Sequence, residues 1–193
     1  MATIDLPNNI LEALSTVLQQ LQQSLPEVKQ APDFSAIAFK WENGELKPIH
    51  QLKRIELNDL KGIERQKEKV LQNTEQFLNG LPANDVLLTG SRGTGKSSIV
   101  RALLTEYAEQ GLRLIEIERD DLSELPEIQK LIAERPEKFI VYCDDLAFNA
   151  EDENYRSLKS VLDGSLQSGS SNFIIYATSN RRHLLPEFMH ENT

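Results

Sequence analysis

The stretch from Gly90 to Val100, GSRGTGKSSIV, places three glycines in six residues, then a lysine and two serines, then the start of an apolar run. Holding a glycine in one conformation costs more entropy than holding any other residue. A flexible turn between a strand and a helix accounts for one such glycine, or two. It does not account for the Lys-Ser that follows. The spacing Gly90-x-x-x-x-Gly95-Lys96-Ser97 fits a phosphate-binding loop, provided a strand precedes it and a helix follows. There, the amides of Gly90, Ser91, Arg92, Gly93, Thr94 and Gly95 converge on phosphate oxygens. The helix N-terminus adds unpaired donors around Lys96, Ser97 and Ser98. Lys96 brings a full charge to the outer phosphates, and the Ser97 hydroxyl is a ligand for Mg²⁺. A dinucleotide-binding turn is rejected although Glu116 and Glu118 stand about where its ribose-binding acid belongs. That turn needs G-x-G-x-x-G, and Ser98 occupies the third glycine position.

The sequence around the loop supplies the required context. DVLLTG (85–90) reads as a buried strand, and Lys96 to about Gln110 as a helix with Ile99, Val100, Leu103, Leu104 and Tyr107 on one face. LRLIEIE (112–118), KFIVYCDD (138–145) and NFIIYATSN (172–180) read as further strands. Between them, SELPEIQKLIAER and NYRSLKSVLDGSLQ read as helices. Near-continuous apolar strands alternating with helices predict an α/β fold with a parallel sheet and helices on both faces. Upstream, NDLKGIERQKEKVLQNTEQFLNG predicts a helix capped by Asn58 or Asp59 and ended by Gly80, with ERQKEK on its solvated face. Before that, SAIAFKWENGEL fits a short hairpin around Asn43-Gly44. Leu11, Leu14, Leu18, Leu21 and Leu25 form an amphipathic stripe over residues 8–25. It reads as a helix packed on its own domain or, less simply, as a partner-binding helix. The chain divides into an N-terminal extension with this helix, 1–55, and an α/β core, 56–193.

Composition narrows the class. Of 193 residues, 30 are Asp or Glu and 21 Lys or Arg, a net charge of −9, which argues against autonomous nucleic-acid binding. One cysteine, Cys143, excludes a disulfide framework within the chain. The apolar runs are too short to span a membrane, and the first basic residue is Lys29, so no signal-like positive region opens the chain. A cytoplasmic location is expected. His50, His183 and His190 lack metal-ligand spacing, and Trp41, Phe39 and Cys143 read as core.

Gripping phosphate is not cleaving it. Hydrolysis also needs an acid that positions the metal and a group that polarises water. FIVYCDD offers two acids at a strand's C-terminal end, the edge where open parallel sheets bind ligands. Asp144 would hold Mg²⁺, directly or through water, and Asp145 would orient and activate the attacking water. Asn180, ending the last strand, would sense the γ-phosphate and hold that water. Alone, the acid pair reads equally well as a loop cap, and Ser179-Asn180 as a turn. Their order behind a phosphate loop favours the catalytic reading.

This set resembles the AAA+ ATPases, over about residues 55–190. Residues 90–97 look like Walker A, 139–145 like Walker B and Asn180 like sensor 1. LNDLKGIERQKEKV looks like the segment that closes over adenine, with Gly62 and Ile63 at the contact. GLPANDVLLTGSRGTGKSSIV, CDDL and YATSNRRHL are similar to a bacterial AAA+ family known as domain of unknown function 815. The resemblance implies a P-loop fold with a strand inserted between the loop strand and the acidic strand. It also implies ATP or ADP with Mg²⁺ as ligands, a homo-oligomer when full length, and remodelling of a protein or nucleic-acid partner. Two departures stand out. Asp144-Asp145 replaces a common Asp-Glu, and no fifth strand, helical lid, sensor-2 arginine or arginine finger is recognisable. Arg181 and Arg182 read as surface or interface residues. The expectation is therefore a core truncated before its lid, weak or inactive alone. The competing readings are a non-catalytic nucleotide-dependent switch or adaptor and, less favoured, a P-loop kinase.

Overall fold

The computed structural model describes Pro7, Ile10 and residues 13–17, 32–146 and 172–180. Two units separate, Met1–Ala31 and Pro32–Thr193. In the first, residues 13–17 are helical, and Leu14 and Val17 are about half exposed, at 48% and 50%. Leu11, Leu18, Leu21 and Leu25 lie outside the described residues, as do the helix expected at NYRSLKSVLDGSLQ and Arg181, Arg182, His183 and His190.

In the second unit each apolar run forms a strand. The strands are β1 (Ala38–Glu42), β2 (Glu45–Pro48), β3 (Val86–Thr89), β4 (Leu112–Glu116), β5 (Lys138–Cys143) and β6 (Phe173–Ser179). They form one sheet in the order β2-β1-β4-β5-β6-β3. All neighbours are parallel except the β1–β2 hairpin. A strand does separate the acidic strand β5 from the loop strand β3, as the resemblance implies, but it is β6; β4, which lies between them in sequence, pairs on the other side of β5. Alternation along β5 sorts the core into two layers. Phe139, Val141 and Cys143 face α3 (Leu125–Ile132), which packs Leu125, Ile128 and Ile132 against them. Ile140 and Tyr142 face the layer of α1 (Glu64–Leu78) and α2 (Lys96–Tyr107), with Val70, Phe77, Val100 and Leu103. Full burial of such side chains is worth about 1.5–3 kcal/mol each, and β4 and β5, apolar on both faces, sit at the centre of the sheet.

The hairpin around Asn43-Gly44 forms as expected. Asn43 and Gly44 have φ of 53° and 73°, the pair of positive values that a two-residue type I′ turn requires. Its place is a correction to the boundary drawn at residues 55–56. β1 pairs with β4 in register Ala38–Leu114, so the sheet begins well inside the segment assigned to the extension. Trp41 is buried and donates from Nε1 to Glu124 Oε2 at 2.6 Å, which ties the hairpin to the turn before α3. The helix expected from Asn58 is also revised. A single 3-10 turn, Leu57–Asp59, comes first, and α1 starts only at Glu64. Gly62 lies between them at φ 77°, and Lys67 Nζ returns from α1 to donate to the Leu57 and Leu60 carbonyls. Asp59 therefore closes the short turn and does not cap the helix. Gly80 ends α1 as read: it has φ 70°, and the Leu81 amide reaches back to Gln76 O.

Candidate functional site

Three parallel strands end at one edge because their registers are locked. Thr89 pairs with Ser179 and Cys143 with Ala177. One residue further, Gly90 N donates to Ser179 O, and Asp144 lies beside Thr178. The loop of residues 90–97, the acid pair and Asn180 are thereby brought to one place, although their sequence positions are far apart. A cavity of about 250 Å³ opens there, lined by the loop from Arg92 to Ser98 and by Asp144, Asp145, Thr178 and Asn180. Whole small-molecule pockets run to roughly 300–1,000 Å³, so this one suits a phosphate chain and not a base with its sugar.

The loop conformation depends on Gly95. Its φ is 85°, and a Cβ placed there would meet Ile63 Cδ1 at 3.2 Å. Ile63 thus lies directly against the loop, which brings the Gly62-Ile63 segment to the entrance of α2. Gly62 and Ile63 do not line the phosphate-sized cavity. Gly90 and Ser91 lie behind it and present their carbonyls inward. Lys96 Nζ donates to Gly90 O at 2.7 Å, to Ser91 O at 2.8 Å and to Asn180 Oδ1 at 3.0 Å. An ammonium has three donors, and all three are used. The first turn of α2 carries no acidic residue, so no carboxylate of that turn competes for its free amides.

Asn180 continues the chain of contacts by donating from Nδ2 to Asp145 Oδ1 at 2.6 Å. Its amide faces a cation on one side and a carboxylate on the other, and only this orientation satisfies both. Lys96, Asn180 and Asp145 therefore form one connected line. Beside it, Ser97 Oγ donates to Asp144 Oδ1 at 2.9 Å. Burial pushes the Asp144 carboxyl up, but the hydrogen bonds it accepts from Thr178, Ser97 and the Asp145 amide, with the Tyr142 phenol close by, outweigh that and hold it below its ordinary range. It stays ionised. A serine hydroxyl beside an ionised carboxylate is an oxygen-only pair, and it fits a hard cation such as Mg²⁺. Among the described residues no cluster of three or more His, Cys, Asp or Glu side chains offers a competing metal site.

Thr178 is the residue that sequence reasoning missed. It is 1% exposed, donates through Oγ1 to Asp144 Oδ1, and accepts from the Asp145 amide at 2.9 Å. Leu146 N bonds its carbonyl at 2.6 Å. One threonine thus fixes both acids. The signal was present as a hydroxyl in an otherwise apolar strand, two residues before Asn180 and so on the same face. Asp145 is held with a left-handed backbone, φ 53°, which a non-glycine residue adopts at a cost. Cys143 is core, as read, and burial pushes its thiol up to about 12. Trp41 and Phe39 are fully buried. No described helix is long and apolar enough to cross a membrane.

Comparison with known proteins gives partial relatives and one family. A 52-residue segment is 36% identical to the replication factor C large subunit of Methanococcus maripaludis (strain C7 / ATCC BAA-1331), covering 27% of this chain and 11% of that protein. Among solved structures, the chain is similar to AMPPCP-bound DnaA from Aquifex aeolicus (21% identity, TM-score 0.44, 63% of this chain and 39% of that one). It is similar also to the RuvB Holliday junction branch migration motor of Thermotoga maritima (17% identity, TM-score 0.45, 68% and 43%). Trip13 from Rhizobiales matches at 13% identity and TM-score 0.46, over 65% and 57%. The chain thus spans less than two thirds of the length of each of these proteins. The family described as "Protein of unknown function (DUF815)" matches residues 34–193, most of the chain, and the chain belongs to that family.

Proposed function

We propose that this protein is an AAA+ type ATPase that binds Mg·ATP at the loop of residues 90–97 and hydrolyses it. The observation that carries the reading is the line Lys96–Asn180–Asp145 set beside the Ser97–Asp144 pair, at the mouth of a cavity the size of a phosphate chain. Loop amides and the α2 N-terminus would bind the phosphates, with Lys96 leaving the Gly90 and Ser91 carbonyls to meet the outer ones. Ser97 and Asp144 would hold Mg²⁺, which when bound neutralises charge on the phosphate chain. Asp145 would orient the attacking water and accept its proton. Asn180 would bond that water or the γ-phosphate, in place of its present bond to Lys96. Gly62 and Ile63 would border the adenine. A homo-oligomer acting on a protein or nucleic-acid partner is the wider expectation, in keeping with the family resemblance of the motifs.

Asp145→Asn in the full-length protein tests the catalytic part. Asparagine tolerates the left-handed backbone well, so the variant should fold and still bind ATP. Phosphate release should fall by at least about 100-fold, the usual scale for loss of a positioned base. Normal release by this variant would remove Asp145 from the mechanism. A second reading, a nucleotide-dependent switch without turnover, is favoured by the 2.6 Å bond that already occupies Asp145. Wild-type protein that binds ATP but releases no phosphate, with or without candidate partners, would establish it.

A further inference from the structure

The layer between the sheet and helices α1 and α2 contains three described tyrosines, Tyr107, Tyr142 and Tyr176. Two of them show how this fold satisfies a buried phenol. Tyr176 Oη lies 2.8 Å from Thr74 Oγ1 and accepts from Asn73 Nδ2 at 3.0 Å. Tyr107 Oη donates to Glu75 Oε1 at 2.8 Å. Tyr142 is different. It is 1% exposed, and its hydroxyl has no hydrogen-bond partner among the described residues. Leaving a buried hydroxyl unpaired is a net loss that phenylalanine would avoid.

The place of this hydroxyl says what would satisfy it. Tyr142 is two residues before Asp144 on β5, so both side chains leave the strand on the α2 side. Its Oη lies near Ser97, Asp144 and Thr178 and interacts with all three, but makes no hydrogen bond of ordinary geometry to any of them. It also lines a second cavity, about 430 Å³, at the ends of β1, β4 and β5, which shares Asp144 with the phosphate-sized one. The unpaired oxygen therefore abuts the two side chains suited to a hard cation. Mg²⁺ gives up its hydration reluctantly and keeps several waters when protein-bound. Those waters are strong donors, and outer groups that accept from them orient the ion.

We infer that Tyr142 is a positioning residue for the metal: its Oη accepts a hydrogen bond from a water carried by Mg²⁺ at the Ser97–Asp144 pair. This rests on the Mg·nucleotide reading above. It assigns a role to a side chain of the apolar strand itself, two residues before the first of the two acids. The ring packs like any core aromatic, and only the hydroxyl is committed to the site.

Tyr142→Phe in the full-length protein isolates that one oxygen. ADP binding is followed by calorimetry across a series of Mg²⁺ concentrations and in EDTA, and Mn²⁺ binding to the ADP complex by electron paramagnetic resonance. The Mg²⁺ concentration for half-maximal effect should rise about 10–100-fold, the usual cost of losing an outer partner of a metal site. ADP affinity in EDTA should not change. The melting temperature without ligand should be no lower than that of the wild type, because the hydroxyl has nothing to lose in the empty protein. An unchanged Mg²⁺ dependence overturns the inference and leaves the nucleotide site standing. So does a lower melting temperature without ligand, which would show a structural hydrogen bond. Wild-type protein that binds ADP equally well with Mg²⁺ and in EDTA removes the metal, and this role with it. Failure of the wild type to bind ADP at all overturns the functional reading itself.

Discussion

Asn43 and Asp145 are the two described non-glycine residues with left-handed backbones, and both have φ of 53°. They reach it for opposite reasons. Asn43 begins a two-residue hairpin turn whose geometry demands a positive φ, and asparagine is among the residues that tolerate it best. Local sequence explains it fully. Asp145 lies two residues past the end of the parallel strand β5. It is held from outside, by its amide on Thr178 and its carboxylate on Asn180. Aspartate, like asparagine, visits this region more readily than most residues, and here contacts from β6 and Asn180 fix it there.

Replacing each residue with glycine separates the two cases. Asp145→Gly should lower phosphate release by about 100-fold or more, while Asn43→Gly leaves turnover unaltered. Equal turnover in both variants would erase the distinction. The next effect concerns the support. Thr178→Val leaves the Asp145 amide and the Asp144 carboxylate without their shared partner. It should cost about 1–3 kcal/mol in chemical denaturation, and Thr178→Ser should recover most of this. A cost below about 0.5 kcal/mol, the scale of an ordinary surface change, would show that Thr178 does not hold the pair. The smallest effect is on the stability of the glycine variants themselves. Relief of left-handed strain and the added freedom of the unfolded chain nearly cancel, so both variants should lie within about 1 kcal/mol of wild type. A loss well beyond that for Asp145→Gly would mean its side chain serves the fold.

The same contrast explains what could be read in the sequence. β4, β5 and β6 were legible because their runs are short, largely apolar and bounded by turn residues, whereas β3, read as a buried strand, is the end strand of the described sheet with Leu87 42% exposed. The Asn43-Gly44 hairpin was legible because two residues set its geometry. The glycine-rich turn between β3 and α2 was legible because Gly90, Gly95, Lys96 and Ser97 lie within eight residues of one another. The pairing of β1 with β4 was not, since register between segments so far apart depends on tertiary packing. The break at Gly62 was hidden because the residues on both sides keep a helical pattern. Thr178 and Tyr142 were hidden because each lies in an apolar strand, where only the neighbouring strand or helix shows what its hydroxyl faces.

The central claim is that the loop of residues 90–97 is a nucleotide site served by Lys96. Titration of Mg·ADP into the wild type and into Lys96→Ala by isothermal calorimetry tests it most directly. The account predicts clear binding by the wild type and a loss of at least about 100-fold in the variant, the worth of one or two hydrogen bonds to a charged group. Equal affinity for the two proteins would contradict it.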